Sequence, residues 1–207
     1  MSRSCRHDHD PATLPQGAGA ALLAGDGALG HLPLWAQVLV AARMLQRAAA
    51  AMQAELPASL NDRIAAVGSA IQDCARDGGG VHRQRALFDA AMALRDTEAA
   101  ARHAPLRGLL WFAIDATRAA DAAQDFPIDA TVAHSTWHAM RELVADTRVV
   151  PLQLRVLIAG DIDALRSACD EARVDRYAAL PAQVFLRLAP VHALTLTEPR
   201  RVEPAWR

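Results

Sequence analysis

The sequence predicts an all-α protein: a six- to seven-helix antiparallel bundle with a flexible N-terminal leader and a short extended C-terminal segment. Three observations carry that expectation. From Pro33 almost to the end, apolar residues recur at steps of three and four, the spacing that lines one face of a helix. Prolines and a glycine triplet punctuate these runs, and the short connections between them force sequence neighbours into antiparallel contact. The 207 residues are 52% hydrophobic and 22% charged, enough apolar chain for a core and too little charge for general disorder. The chain divides into a disordered leader over 1–30, a helical bundle over 31–175 and a C-terminal extension over 176–207.

In the leader, Pro11, Pro15 and the glycines from Gly17 to Gly30 leave no sustained period, and order is expected to begin at Pro33. The first helix spans about 33–56, with proline tolerated in its first turn and Trp35, Val38, Ala42, Leu45, Ala49 and Met52 on one face. Pro57 stops it. The second spans about 60–77, with Ser59 and Asp62 as capping residues and Ile64, Val67, Ile71 and Cys74 or Ala75 as its buried stripe. Gly78, Gly79 and Gly80 break the chain. The third spans about 81–103, turning Leu87, Ala91, Leu94 and Ala101 inward and Arg83, Arg85 and Arg95 outward. The fourth runs from Pro105 to about Gln124. It carries the most apolar segment, Leu109 to Ile114, which predicts a central position. The fifth runs from Pro127 to about Asp146. A short sixth over 151–159 ends at Gly160, and Asp161 caps a seventh over 162–173. Pro181 opens a helical turn to Leu188, and Val191 to Leu196 alternates enough to be extended.

Charge is balanced, 22 basic against 23 acidic residues, which disfavours a strongly basic nucleic-acid binder. Arg83, Arg85, Arg95 and Arg102 could make a basic strip, but Asp89, Asp96 and Glu98 dilute it. No apolar run approaches the roughly 18 residues of a membrane span. Every basic residue is arginine, and without lysine there is no Schiff-base amine and no phosphate-loop lysine. Alanine, arginine, glycine and proline point to a GC-rich bacterial genome. Cys5, Cys74 and Cys169 are far apart and odd in number, against a disulfide framework. The polar N-terminus lacks a signal core, which predicts a cytoplasmic protein.

The best metal-like spacing is His134 and His138, an i, i+4 pair on one helical face, with Glu142 continuing the row. The glutamate of HExxH is missing, and the same row suits a half-exposed His138 paired with Glu142. Cys5, His7, Asp8, His9 and Asp10 cluster in the leader, where nothing fixes their geometry. Asp115, Asp121, Asp125 and Asp129 read as a solvated face. No nucleophile elbow or glycine-rich phosphate loop is present, so no catalytic residue and no cofactor are expected.

The run Leu34 to Gly79, with its aromatic start, its alanine–arginine middle and NDRIAAVGSAIQDCARDGG, resembles helical repeats in proteins of planctomycetes, myxobacteria and similar GC-rich bacteria. The stretch VFLRLAPVHALTLTEPRR resembles the lead-in to leucine-rich repeats of the same groups, although no repeat array follows in this sequence. The resemblance implies a helical interaction module and brings no catalytic residues. A helical bundle without a catalytic constellation, ending in an extended segment whose edge could pair with a partner strand, predicts non-enzymatic binding of another protein, as an adaptor or an immunity-like inhibitor. The alternative is a metal-dependent or small-molecule enzyme built around His134 and His138.

Overall fold

The computed structural model describes residues 26–54, 56–97 and 151–196. Among them are six helices: α1 (Asp26–Gly30), α2 (Leu34–Ala51), α3 (Ala58–Asp77), α4 (Val81–Arg95), α5 (Pro151–Ala172) and α6 (Ala182–Arg187). The all-α expectation holds. The predicted fourth and fifth helices lie outside the described residues.

Helix α2 is the hub of the described residues. Fourteen of its eighteen residues are buried. Its runs of alanine, valine and leucine leave no polar face to turn toward water, so neighbours cover it on several sides. The antiparallel neighbour α3 packs on it through Leu60, Ile64, Val67 and Ile71, and α4 packs on α3 through Leu87, Ala91 and Leu94. Full burial of each such aliphatic side chain contributes about 1.5–3 kcal/mol.

The ends of α3 follow from its flanking residues. Pro57 sits at the N-cap and no side chain caps the helix; the amides of Leu60 and Asn61 bond to the Pro57 carbonyl at 2.9 and 3.2 Å. Ser59 and Asp62 therefore do not cap it, because proline already starts the helical turn upstream of them. At the other end Gly78 turns left-handed (φ 74°), and the Gly79 amide closes on the Cys74 carbonyl at 2.9 Å. All three glycines of the triplet have positive φ. A Cβ on Gly79 would stand 2.9 Å from Cζ2 of Trp35, whereas one on Gly80 would meet nothing within 4 Å. The corner between α3 and α4 thus closes directly against the indole at the start of α2.

Four boundaries differ from the sequence expectation, the first being that of α2, which ends at Ala51 where the sequence predicts about 56. A short helix, α1, lies inside the expected leader, because Leu29 and Leu32 find buried sites against the hub. Helix α4 ends at Arg95, where Asp96 takes the C-cap. The expected sixth and seventh helices are one continuous helix, α5. Gly160 sits inside it on the exposed side, and Asp161 turns into the core instead of capping a new helix. Helix α5 ends at Ala172, and Arg173 just after it adopts φ 50°.

Beyond α5 the chain returns to α2 and α3. Leu34 donates its amide to the Arg176 carbonyl at 2.8 Å, Leu180 to that of Ala75 at 2.7 Å, and the Arg76 guanidinium lies 4.8 Å from the Phe185 ring centroid. Helix α6 starts after Pro181 as the sequence predicts. Residues 189–195 form neither helix nor strand and Leu196 sits in a single β-bridge, so the alternation of Val191 to Leu196 buries Leu194 without building a strand among the described residues.

The glycine corner gives the first test. Gly80→Ala is expected to cost about 1–3 kcal/mol through backbone strain alone. Gly79→Ala adds an overpacking cost of about 1–3 kcal/mol against Trp35. Urea unfolding of the two variants side by side measures the difference, and equal losses would disprove the wedge.

Candidate functional site

Among the described residues, the core contains one concentrated polar feature. Arg43 and Arg47 stand one turn apart on α2, and Asp161 faces them from α5. The three residues are 6%, 3% and 5% exposed. Asp161 Oδ1 accepts from Arg43 Nε at 2.9 Å and from Arg47 Nη2 at 3.0 Å, while Oδ2 accepts from Arg47 Nη1. Arg43 Nη2 donates to the Ala189 carbonyl at 2.8 Å. Arg47 Nε is buried without a hydrogen-bond partner.

The arrangement follows from chemistry. The guanidinium fork matches both oxygens of a carboxylate, so Arg47 grips Asp161 end-on, and the same oxygen that meets Arg47 Nη2 also takes the Arg43 Nε–H. Two cations face one anion, which leaves one surplus positive charge among the described residues. Such a group costs several kcal/mol per ion in desolvation, which the bonds between its members must offset.

The C-terminal chain completes the cluster. Ala189 supplies the carbonyl to Arg43, and the Leu194 amide meets the Arg47 carbonyl at 3.4 Å. The Gln153 carboxamide grips Thr195 at two points, donating to Oγ1 at 2.9 Å and accepting from the backbone amide at 3.0 Å. Residues 189–195 therefore run beside α2 in its own direction and are tied to α5 at their far end.

No family model, curated protein or solved structure matches this chain.

The residues singled out from sequence fall in different places. His134, His138 and Glu142 lie outside the described residues, as do the leader cluster and the aspartates from Asp115 to Asp129. Among the described residues, no three His, Cys, Asp or Glu side chains gather as a metal site would require. The described arginines of the diluted strip, Arg83, Arg85 and Arg95, are engaged with acids. Arg83 bonds Asp77 at 2.6 Å and reaches Asp73 at 3.4 Å, Arg85 lies 3.8 Å from Asp89, and Arg95 bonds Asp96 at 3.1 Å. These exposed pairs add little stability but neutralise the strip. Arg102 lies outside the described residues.

A shallow groove of about 200 Å³ opens between α2 and α3, lined by Gln46, Ala49, Gln53, Asn61, Ile64 and Ala65 among others. None of its lining side chains ionises, so it offers no acid–base chemistry. Cys74 and Cys169 are buried and free. Burial pushes both thiols up from 9.0 to about 11, against a smaller opposing pull from Arg83 on Cys74. Both are neutral packing groups at physiological pH.

The arginine cluster was missed in the sequence, although a signal existed. Arg43 and Arg47 are the only charges in an eighteen-residue helix, and Asp161 continues the apolar stripe Leu154, Ile158, Leu165. A charge on a buried face asks for a partner, and the two elements supply opposite signs.

Asp161→Asn is expected to destabilise the fold by about 3–5 kcal/mol, because it strands two buried guanidiniums. Asp163→Asn on the exposed side should stay within about 0.5 kcal/mol of the parent. Denaturant titration of both variants tests this, and similar midpoints would dismiss the cluster as a stability determinant.

The thiols yield a second expectation. Their raised pKa means that the unfolded chain loses protons near pH 9 while the folded chain keeps them until about 11. Their contribution to stability is complete below pH 9 and is lost as pH rises toward 11. Peptide mapping after brief iodoacetamide treatment at pH 8 should find Cys74 and Cys169 unmodified in the native protein and alkylated in urea. Native alkylation of either would contradict their burial.

Proposed function

We propose that this is a bacterial, cytoplasmic protein that acts without catalysis by binding another protein, as an adaptor or immunity-like factor, through the outer face of α5. One observation carries the reading. Leu152 and Val156 stand one turn apart on α5 and are 68% and 63% exposed, while Leu154, Ile158, Ile162 and Leu165 on the opposite side are buried. Single exposed aliphatic residues are common on any surface, but two in register on one helical face form the start of a docking stripe. Arg155 and Ala159 lie on the same face, giving a small apolar patch beside a cation. An apolar stripe on one helical face is what a hydrophobic groove engages in helix-in-groove recognition, and the neighbouring arginine adds a polar contact.

Two further observations support the reading. No described helix is long and apolar enough to cross a membrane. The Arg47–Asp161 pair is engaged in holding α2 to α5, and the α2–α3 groove carries no ionisable group. Bacterial origin rests on the codon-linked bias toward alanine and arginine in the sequence.

The test compares affinity capture from a lysate of the source organism by the parent chain and by Leu152→Asp/Val156→Asp. A stoichiometric partner retained by the parent should fall at least about tenfold in the variant, with unchanged helical circular dichroism. Identical recovery by both chains, or no partner with either, would defeat the proposal.

A further inference from the structure

The segment over 189–196 is held as a peptide ligand is held. Residues 189–195 lie in neither helix nor strand and Leu196 sits in a β-bridge; up to Thr195 the backbone is met by groups of α2 and α5. Arg43 donates to the Ala189 carbonyl, Arg47 offers its carbonyl to the Leu194 amide, and Gln153 takes Thr195 at two points. Leu194 is the single fully buried anchor, while Pro190, His192, Ala193 and Thr195 are exposed. Side-chain groups meeting an extended backbone around one apolar anchor are the elements by which grooves recognise extended peptides.

The electrostatics say what else would fit. Beneath the segment lie two guanidiniums and one carboxylate, a surplus of one positive charge among the described residues. The segment answers that surplus with a neutral carbonyl. A carboxylate at the same place would form a charge-assisted bond, shorter and roughly twice as strong as a neutral one. The seat is thus shaped for the chain's own segment and charged for an acidic one.

We propose that residues 189–196 are a detachable strap, and that the α2–α5 cleft beneath them takes in their place an extended peptide of a partner protein bearing a carboxylate within reach of Arg43 and a leucine in the Leu194 position. The strap is then an autoinhibitory contact, and its release at the non-helical Leu188–Pro190 turn opens the cleft. The proposal shares with the preceding reading only the premise that the chain binds proteins. Leu152 and Val156 take no part in it, so either can fail alone.

The experiment uses the full chain and two fluorescent peptides of the 188–196 sequence, one with Ala189→Asp and one with Ala189→Asn. Binding is read by anisotropy to the parent, to Leu194→Ser, which removes the apolar anchor without adding charge, and to Leu152→Asp/Val156→Asp. The Asp peptide should bind Leu194→Ser at least about tenfold tighter than the parent, because the tethered competitor is weakened. It should exceed the Asn peptide by about tenfold on the same chain. The Leu152→Asp/Val156→Asp chain should match the parent. No binding to a folded Leu194→Ser, or equal binding of the two peptides, overturns the proposal.

Hydrogen exchange of the parent chain covers the case in which Leu194→Ser unfolds. The Leu194 and Thr195 amides, which are bonded to Arg47 and Gln153, should exchange at least about a hundredfold faster than those in the middle of α2, as a locally opening strap requires. Exchange of both at the same rate would mean that the strap opens only when the whole fold does, and would overturn the proposal equally.

Discussion

One carboxylate shared by two guanidiniums in a dry core is the constraint on which the described structure turns. Asp161 is separated by more than a hundred positions from each of the arginines it binds. Apolar contacts can slide by a residue or rotate by a rotamer at little cost, because hydrophobic burial has no direction. A forked guanidinium on a carboxylate cannot slide, since a shift of one position strands buried charge. The cluster therefore fixes the register of α5 against α2 in a way that the alanine- and leucine-rich faces do not. Through Ala189 and Leu194 it also fixes where the C-terminal chain lies. Replacing all three residues with apolar side chains of similar volume would test whether the cluster supplies specificity or stability, since such swaps in other proteins often leave stability unchanged or raised.

Much of this architecture was legible in the residues. The periodic stripes of α3 and α4 named the positions that are buried, Ile64, Val67, Ile71, Leu87, Ala91 and Leu94. Pro57, the glycine triplet and Pro181 marked true boundaries because each imposes a backbone geometry whatever surrounds it. Legibility failed where tertiary context outweighs local preference. Gly160 looked like a helix stop, yet the burial of Leu154 and Ile158 before it and of Ile162 and Leu165 after it carries the helix through. Asp161 looked like a cap because short acidic side chains favour that role, but two guanidiniums on α2 offer a stronger partner than a free amide. Leu29 and Leu32 sit among glycines that hide any period, and only the hub they pack on makes them ordered.

The candidate sites were less legible than the fold. The histidine row at His134 and His138 drew attention because metal ligation has a recognisable spacing, and it lies outside the described residues. The arginine cluster has no spacing signature, since its members come from distant elements. Its only trace was charge placed on faces that otherwise read as core. The exposed pair on α5 was equally hidden, because Leu152 and Val156 belong to the same apolar run as Leu154 and Ile158. A continuously apolar helix does not declare which side is covered.

The near-complete enclosure of α2 sets how descendants of this chain can diverge. A helix with fourteen enclosed positions has almost nowhere to accept a neutral change, since close packing registers the gain or loss of a single methylene. The outer side of α4, where Val81, Arg85, Phe88 and Asp89 meet solvent, carries no such restriction. Drift will therefore be uneven. The stretch from Leu34 to Ala48 will stay recognisable across distances at which the rest has become unreadable, and a search for distant kin gains most from weighting it.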